Sequence, residues 1–140
     1  PEDRVIFPTL SVEENLRLPC DVLGLTELQM QERLSHVLEV VPQLKPMLAR
    51  SGAALSGGQG KMVALGRALM VGTSLVLLDE PFQGLAPALA QQYAEALARL
   101  RQSRPDLAVI ITESNAALLT DIPNQILTIE RGSFVESLTH

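Results

Sequence analysis

Residues 74–79 read Ser-Leu-Val-Leu-Leu-Asp, a short continuous apolar run closed by a carboxylate. Its length and its flanking turn residues predict a strand buried on both faces of a parallel sheet. A helical pattern follows over 87–103, and a second apolar run over 107–112 comes after it. Two buried strands joined through a helix require a crossover, and a crossover makes them parallel. An α/β layer is therefore expected, with functional groups at the carboxyl ends of its strands.

The residues before this unit read as helices and turns. Ser11-Val12-Glu13-Glu14 is a capping box that opens a short helix, expected to stop before Pro19. A second helix starts at Thr26; Met30, Leu34, Val37, Leu38 and Val41 recur at helical spacing as a core-facing stripe until Pro42. A third follows the glycine-rich turn at 57–60 and ends near Gly72. Residues 125–136 predict a hairpin turning at Gly132.

With 140 residues, 46% hydrophobic and 19% charged, the chain has the composition of one compact globular domain. A formal net charge of -5 argues against a broad electrostatic grip on nucleic acid or anionic lipid. Aromatic residues at 3% leave no stacking platform for single strands, so no nucleic-acid partner is expected. Cys20 is the only cysteine, which excludes an intramolecular disulfide and suits a reducing compartment. Glu2, Asp3 and Arg4 do not resemble the start of a secretory leader. The longest charge-free stretch, 81–94, is too short and too polar to span a membrane, so a membrane connection is expected to run through a partner.

Three constellations could carry chemistry. Leu55-Ser56-Gly57-Gly58-Gln59 stands just before a helix, where free N–H groups and the helix dipole favour an anion such as phosphate; a plain helix entry is the alternative. Gly60-Lys61 mimics a phosphate loop, but that motif needs Gly at 55 and Ser or Thr at 62, where Leu55 and Met62 stand. At the end of the first strand, Asp79 can hold Mg²⁺ while Glu80 orients or deprotonates water, unless both are simply solvated acids. Ile110-Ile111-Thr112-Glu113-Ser114 ends the second strand and either adds a polar group to the same site or begins a solvated loop.

Taken in order, Leu55-Ser56-Gly57-Gly58-Gln59, Arg67-Ala68-Leu69 and Leu77-Leu78-Asp79-Glu80-Pro81 resemble the ATP-binding subunits of ABC transporters. The first element is similar to their signature motif, and the last to their Walker B strand and catalytic glutamate. Phe7-Pro8-Thr9-Leu10-Ser11-Val12-Glu13-Glu14-Asn15-Leu16 and Gly84-Leu85-Ala86-Pro87 resemble most the subunits serving branched-chain and other hydrophobic amino acid importers. The resemblance implies an α/β fold of the P-loop NTPase, ABC ATPase type, present in part. Residues 1–72 would form the helical signature subdomain with the end of the Q-loop, and 73–140 the C-terminal part of the nucleotide-binding core.

It also implies ATP and Mg²⁺ as cofactors. Ser56, Gly57, Gly58 and Gln59 would face the γ-phosphate held by a second, head-to-tail subunit; Asp79 would organise Mg²⁺, Glu80 would polarise water, and Glu2 would fall at the Q-loop position. Transmembrane permease subunits would be the other partners, at the inner face of the cell membrane. Three departures stand out. Neither Lys45 nor Lys61 lies in a Walker A context, Ala86 replaces the aspartate that ends many D-loops, and Ser114 occupies the switch position usually held by His. The missing Walker A loop also admits a non-catalytic partial domain that acts as an interaction or regulatory partner.

Overall fold

A computed structural model describes residues 6–119 and 121–135. Helix α1 (Val12–Val22) begins at the capping box: the Ser11 hydroxyl accepts from the Glu14 N–H, and the Glu14 carboxylate accepts from the Ser11 N–H. Val12, Leu16 and Cys20, one turn apart, are fully buried. The helix runs through Pro19 rather than stopping before it. An interior proline costs about 3 kcal/mol, but ending the helix there would remove Cys20 from the buried stripe. Buried Asn15 fixes the approach to α1: its Oδ1 accepts from Phe7 N at 2.8 Å, and its Nδ2 donates to Phe7 O at 3.0 Å and Ser11 O at 2.9 Å.

Helix α2 (Glu27–Val40) starts from a second capping box, Thr26 with Gln29, and buries Met30, Val37 and Val40. Two short 3₁₀ segments, Pro42–Met47 and Gly52–Ala54, lead to α3 (Gly57–Val71). Helices α1 and α2 and the first 3₁₀ segment pack on α3 at Gly66, where an added Cβ would lie 2.9 Å from Leu16, 3.3 Å from Val37 and 2.7 Å from Leu44. Two arginines reach across to carbonyls at helix ends: Arg33 donates to Met70 O at 2.8 Å, and Arg99 to Val40 O at 3.3 Å.

Strand β1 (Leu75–Asp79), α4 (Pro87–Ser103) and β2 (Ala108–Thr112) form the expected parallel crossover unit. The register pairs Leu77 with Ile110 and Asp79 with Thr112. The core is continuous from α1 to α4, since Val76, Leu78, Tyr93, Leu97 and Leu100 join the cluster built by α1–α3. The expectation of two buried strand faces is corrected. Val76 and Leu78 are buried against this core, whereas Leu75, Leu77 and Ile110 on the other face are exposed. Among the described residues no element covers that second face. Strands β3 (Thr128–Glu130) and β4 (Ser133–Val135) form the antiparallel hairpin expected near Gly132. Among the described residues, no helix is long and apolar enough to cross a membrane.

Candidate functional site

Helix α3 carries the first candidate edge at its N-terminus. Ser56 is the N-cap: its hydroxyl accepts from Gln59 N at 3.2 Å, and the Gln59 side-chain oxygen accepts from Ser56 N at 3.0 Å. A helix begins with four N–H groups that lack intrahelical partners. This box satisfies those of Ser56 and Gln59 and leaves those of Gly57 and Gly58 at the open end. The two glycines differ in their surroundings. A Cβ on Gly58 would press within 2.4 Å of Leu89, while one on Gly57 would meet nothing within 4 Å. A side chain at 58 would therefore have to displace the end of Leu89, whereas packing inside the chain places no demand on position 57. Two N–H groups with no partner among the described residues, at the positive end of a helix dipole, suit an anion approaching from outside the chain.

The second edge lies at the carboxyl end of the sheet. The exposed Asp79 carboxylate accepts from the Thr112 hydroxyl through Oδ1. Its other oxygen has no partner among the described residues. Such a hard, exposed oxygen fits Mg²⁺, which commonly takes one or two carboxylates and completes its shell with phosphate and water oxygens. Glu80 follows with φ at 43°, a left-handed backbone that non-glycine residues rarely adopt. Its N–H donates to Thr112 O at 2.9 Å and approaches Thr112 Oγ1 at 3.3 Å, which holds the bend in place. The bend at Glu80 sets it off from the strand that carries Asp79, so adjacent acids can serve different atoms.

Ser114 is exposed, two residues beyond the end of β2. Glu113 turns back toward the core, accepting from Phe82 N at 2.9 Å. Burial, with a smaller contribution from the Glu113 charge, pushes the Tyr93 phenol well above its usual range. Glu2 lies outside the described residues. Thr112 and Glu113 come from the third constellation, which places polar groups beside Asp79 and the turn after it; the contact that motif reading passed over is that of Lys61. The Thr112 contact follows from register, because equal spacing of the two strands sets it opposite Asp79. Lys61, which in sequence only mimics a phosphate-loop lysine, donates to the carbonyls of Glu80, at 3.4 Å, and Gln83.

An open helix N-terminus ending in Ser-Gly-Gly-Gln and an Asp-Glu pair at the end of a parallel strand thus sit on neighbouring segments of one core. Residues 1–83 match the family described as ABC transporter. The chain belongs to the ABC transporter family. Over 96% of its length it is 38% identical to the high-affinity branched-chain amino acid transport ATP-binding protein BraG of Pseudomonas aeruginosa, covering 56% of that protein. Over 94% of its length it is 34% identical to the arginine transport ATP-binding protein ArtP of Escherichia coli, covering 53%. The maltose/maltodextrin import ATP-binding protein MalK of Yersinia pestis is 31% identical over 94% of the chain, which covers 35% of it. The ABC chain thus spans about half the length of the first two. An ATP-binding cassette of an ABC transporter in its ADP conformation shares the fold, with a TM-score of 0.79 at 24% identity over 96% of this chain and 57% of that one.

Proposed function

We propose that the chain supplies the signature and Walker B parts of an ATP-hydrolysing importer subunit, with amino acids as the transported class. The observation that carries this reading is the pairing of two incomplete edges: the open N–H groups of Gly57 and Gly58, and the carboxylates of Asp79 and Glu80. Neither edge alone encloses a nucleotide triphosphate. In a head-to-tail pair, Ser56, Gly57, Gly58 and Gln59 of one subunit would face the γ-phosphate bound on the other. Phosphoryl transfer depends on positioning and charge stabilisation, which such a composite site provides. When bound, Mg²⁺ neutralises phosphate charge beside Asp79. Glu80 orients the attacking water and accepts its proton, and Ser114 stands at the switch position. The division into a helical signature part, 1–72, and a core part, 73–140, belongs to the same reading, with Glu2 at the Q-loop.

A groove of about 400 Å³ lined by Phe7, Leu18, Pro19, Val22, Leu23, Arg67 and Val71 supports a membrane partner. Its apolar wall suits the apolar face of a permease helix, which would hold the subunit at the inner face of the membrane. The similarity to BraG and ArtP favours amino acids over sugars. The test is uptake by the permease assembly in vesicles loaded with ATP, offering leucine, arginine and maltose separately. Leucine uptake coupled to phosphate release is expected; uptake of maltose alone would overturn the substrate class, and no ATP-dependent uptake of any of the three would overturn the transport reading. A second reading, a non-catalytic binding partner, is favoured by the two lysines. Lys45 lies on a 3₁₀ segment and Lys61 is tied to backbone carbonyls, so neither is presented by a phosphate-cradling loop. Stable association with the permease assembly, with neither Mg-ATP binding by the chain on its own nor turnover in the assembly, would select it.

A further inference from the structure

We propose that Lys61 is a positioning residue that fastens the signature end of α3 to the Glu80 loop, so that the two nucleotide-facing edges of one subunit move together. The inference rests on the ATPase reading above and adds a coupling element to it. Lys61 lies in the second turn of α3, two residues after the end of the Ser56–Gln59 capping box. Its ammonium donates to the backbone carbonyls of Glu80, at 3.4 Å, and Gln83. Those carbonyls close one turn, because Gln83 N donates to Glu80 O at 3.2 Å. An ammonium has three donors and a flexible stem, so it can hold two convergent carbonyls at once.

The other attachments of this loop come from β2 and the residue after it. Glu80 N is held by Thr112, and Phe82 N by the Glu113 carboxylate at 2.9 Å. Lys61 adds a tie from the opposite side, the helix that presents Gly57 and Gly58. A strained residue such as Glu80, with φ at 43°, keeps its conformation only when its surroundings over-determine it. In a head-to-tail pair the signature edge serves the partner's nucleotide while Glu80 serves the subunit's own. A tie between them makes closure at one site bias the water-orienting carboxylate at the other, which is a coupling between two sites through a defined element.

The test compares Lys61→Met, which keeps length and removes the donors, with Lys61→Arg, which keeps donors. Both are studied in the chain within its transport assembly. Backbone hydrogen exchange over residues 80–85 reads the tie without any need for turnover. Lys61→Met should accelerate exchange there about tenfold while leaving α1 and α2 unchanged, and Lys61→Arg should restore protection. Equal protection in Lys61→Met and the parent would overturn the tie. In the ATPase assay, Lys61→Met should lower kcat about tenfold at unchanged KM and reduce cooperativity between the two sites, with Arg rescuing both. Faster exchange with unaltered kcat would overturn the positioning role. If no variant, parent included, turns over ATP, the ATPase reading fails and the exchange result alone decides whether Lys61 ties the two edges.

Discussion

Glu80 occupies a left-handed backbone conformation that costs a non-glycine residue about 1–2 kcal/mol. Glu80→Gly removes that strain, at an added unfolded-state entropy cost of about 0.5–1 kcal/mol. Thermal unfolding of Glu80→Gly should therefore show equal or slightly higher stability together with loss of turnover; a clearly lower midpoint would mean that the side chain stabilises the fold. Glu113 and Ser114 divide in the same way between structure and chemistry. Glu113→Ala should destabilise by about 1–3 kcal/mol in denaturant titration, because it frees a buried backbone donor at Phe82. Ser114→His lengthens the hydrogen-bonding arm and should raise turnover about tenfold at unchanged nucleotide affinity. Side-by-side kinetics decide this, and a silent Ser114→His removes Ser114 from the switch.

At the scale of elements, the N-cap of α3 has two separable duties. Ser56→Asp preserves capping but sets a negative charge where the phosphate is expected, so helix content should persist while ATP-dependent pairing is lost. Ser56→Ala should instead cost about 1 kcal/mol of stability with a milder effect on pairing; equal pairing in both variants would contradict the anion-facing assignment. Helix limits were largely legible, since α4 spans the 87–103 predicted from periodicity and each capping signature marks a real helix start. The path of α1 through Pro19 was not, because the compensation lies in the packing of Cys20, which a local rule cannot see. Nor could a strand pattern show that only one face of β1 is covered in this chain. At the site, the Ser-Gly-Gly-Gln and Asp-Glu edges could be read from residue type and spacing. The Thr112 and Lys61 contacts depend on strand register and on the approach of α3 to the turn after β1, which are tertiary facts.

For the 140-residue chain by itself, the uncovered sheet face is expected to govern solution behaviour. Leu77 is 67% exposed and its register partner Ile110 is 55% exposed, on a type of sheet that normally has both faces covered. The 140-residue chain alone should self-associate, and Leu77→Lys with Ile110→Glu should reduce this without unfolding it. Sedimentation that shows the parent chain fully monomeric at high concentration would count against this. In the proposed function the two candidate edges have a matching logic, each needing a counterpart from another subunit. That claim is tested most directly by Glu80→Gln in the transport assembly, with ATP-dependent pairing of the subunits and phosphate release measured on the same sample. The account predicts a persistent ATP-bound pair with hydrolysis reduced at least a hundredfold, because the side chain keeps its shape and hydrogen bonding but no longer accepts a proton. Hydrolysis at the parental rate would contradict it.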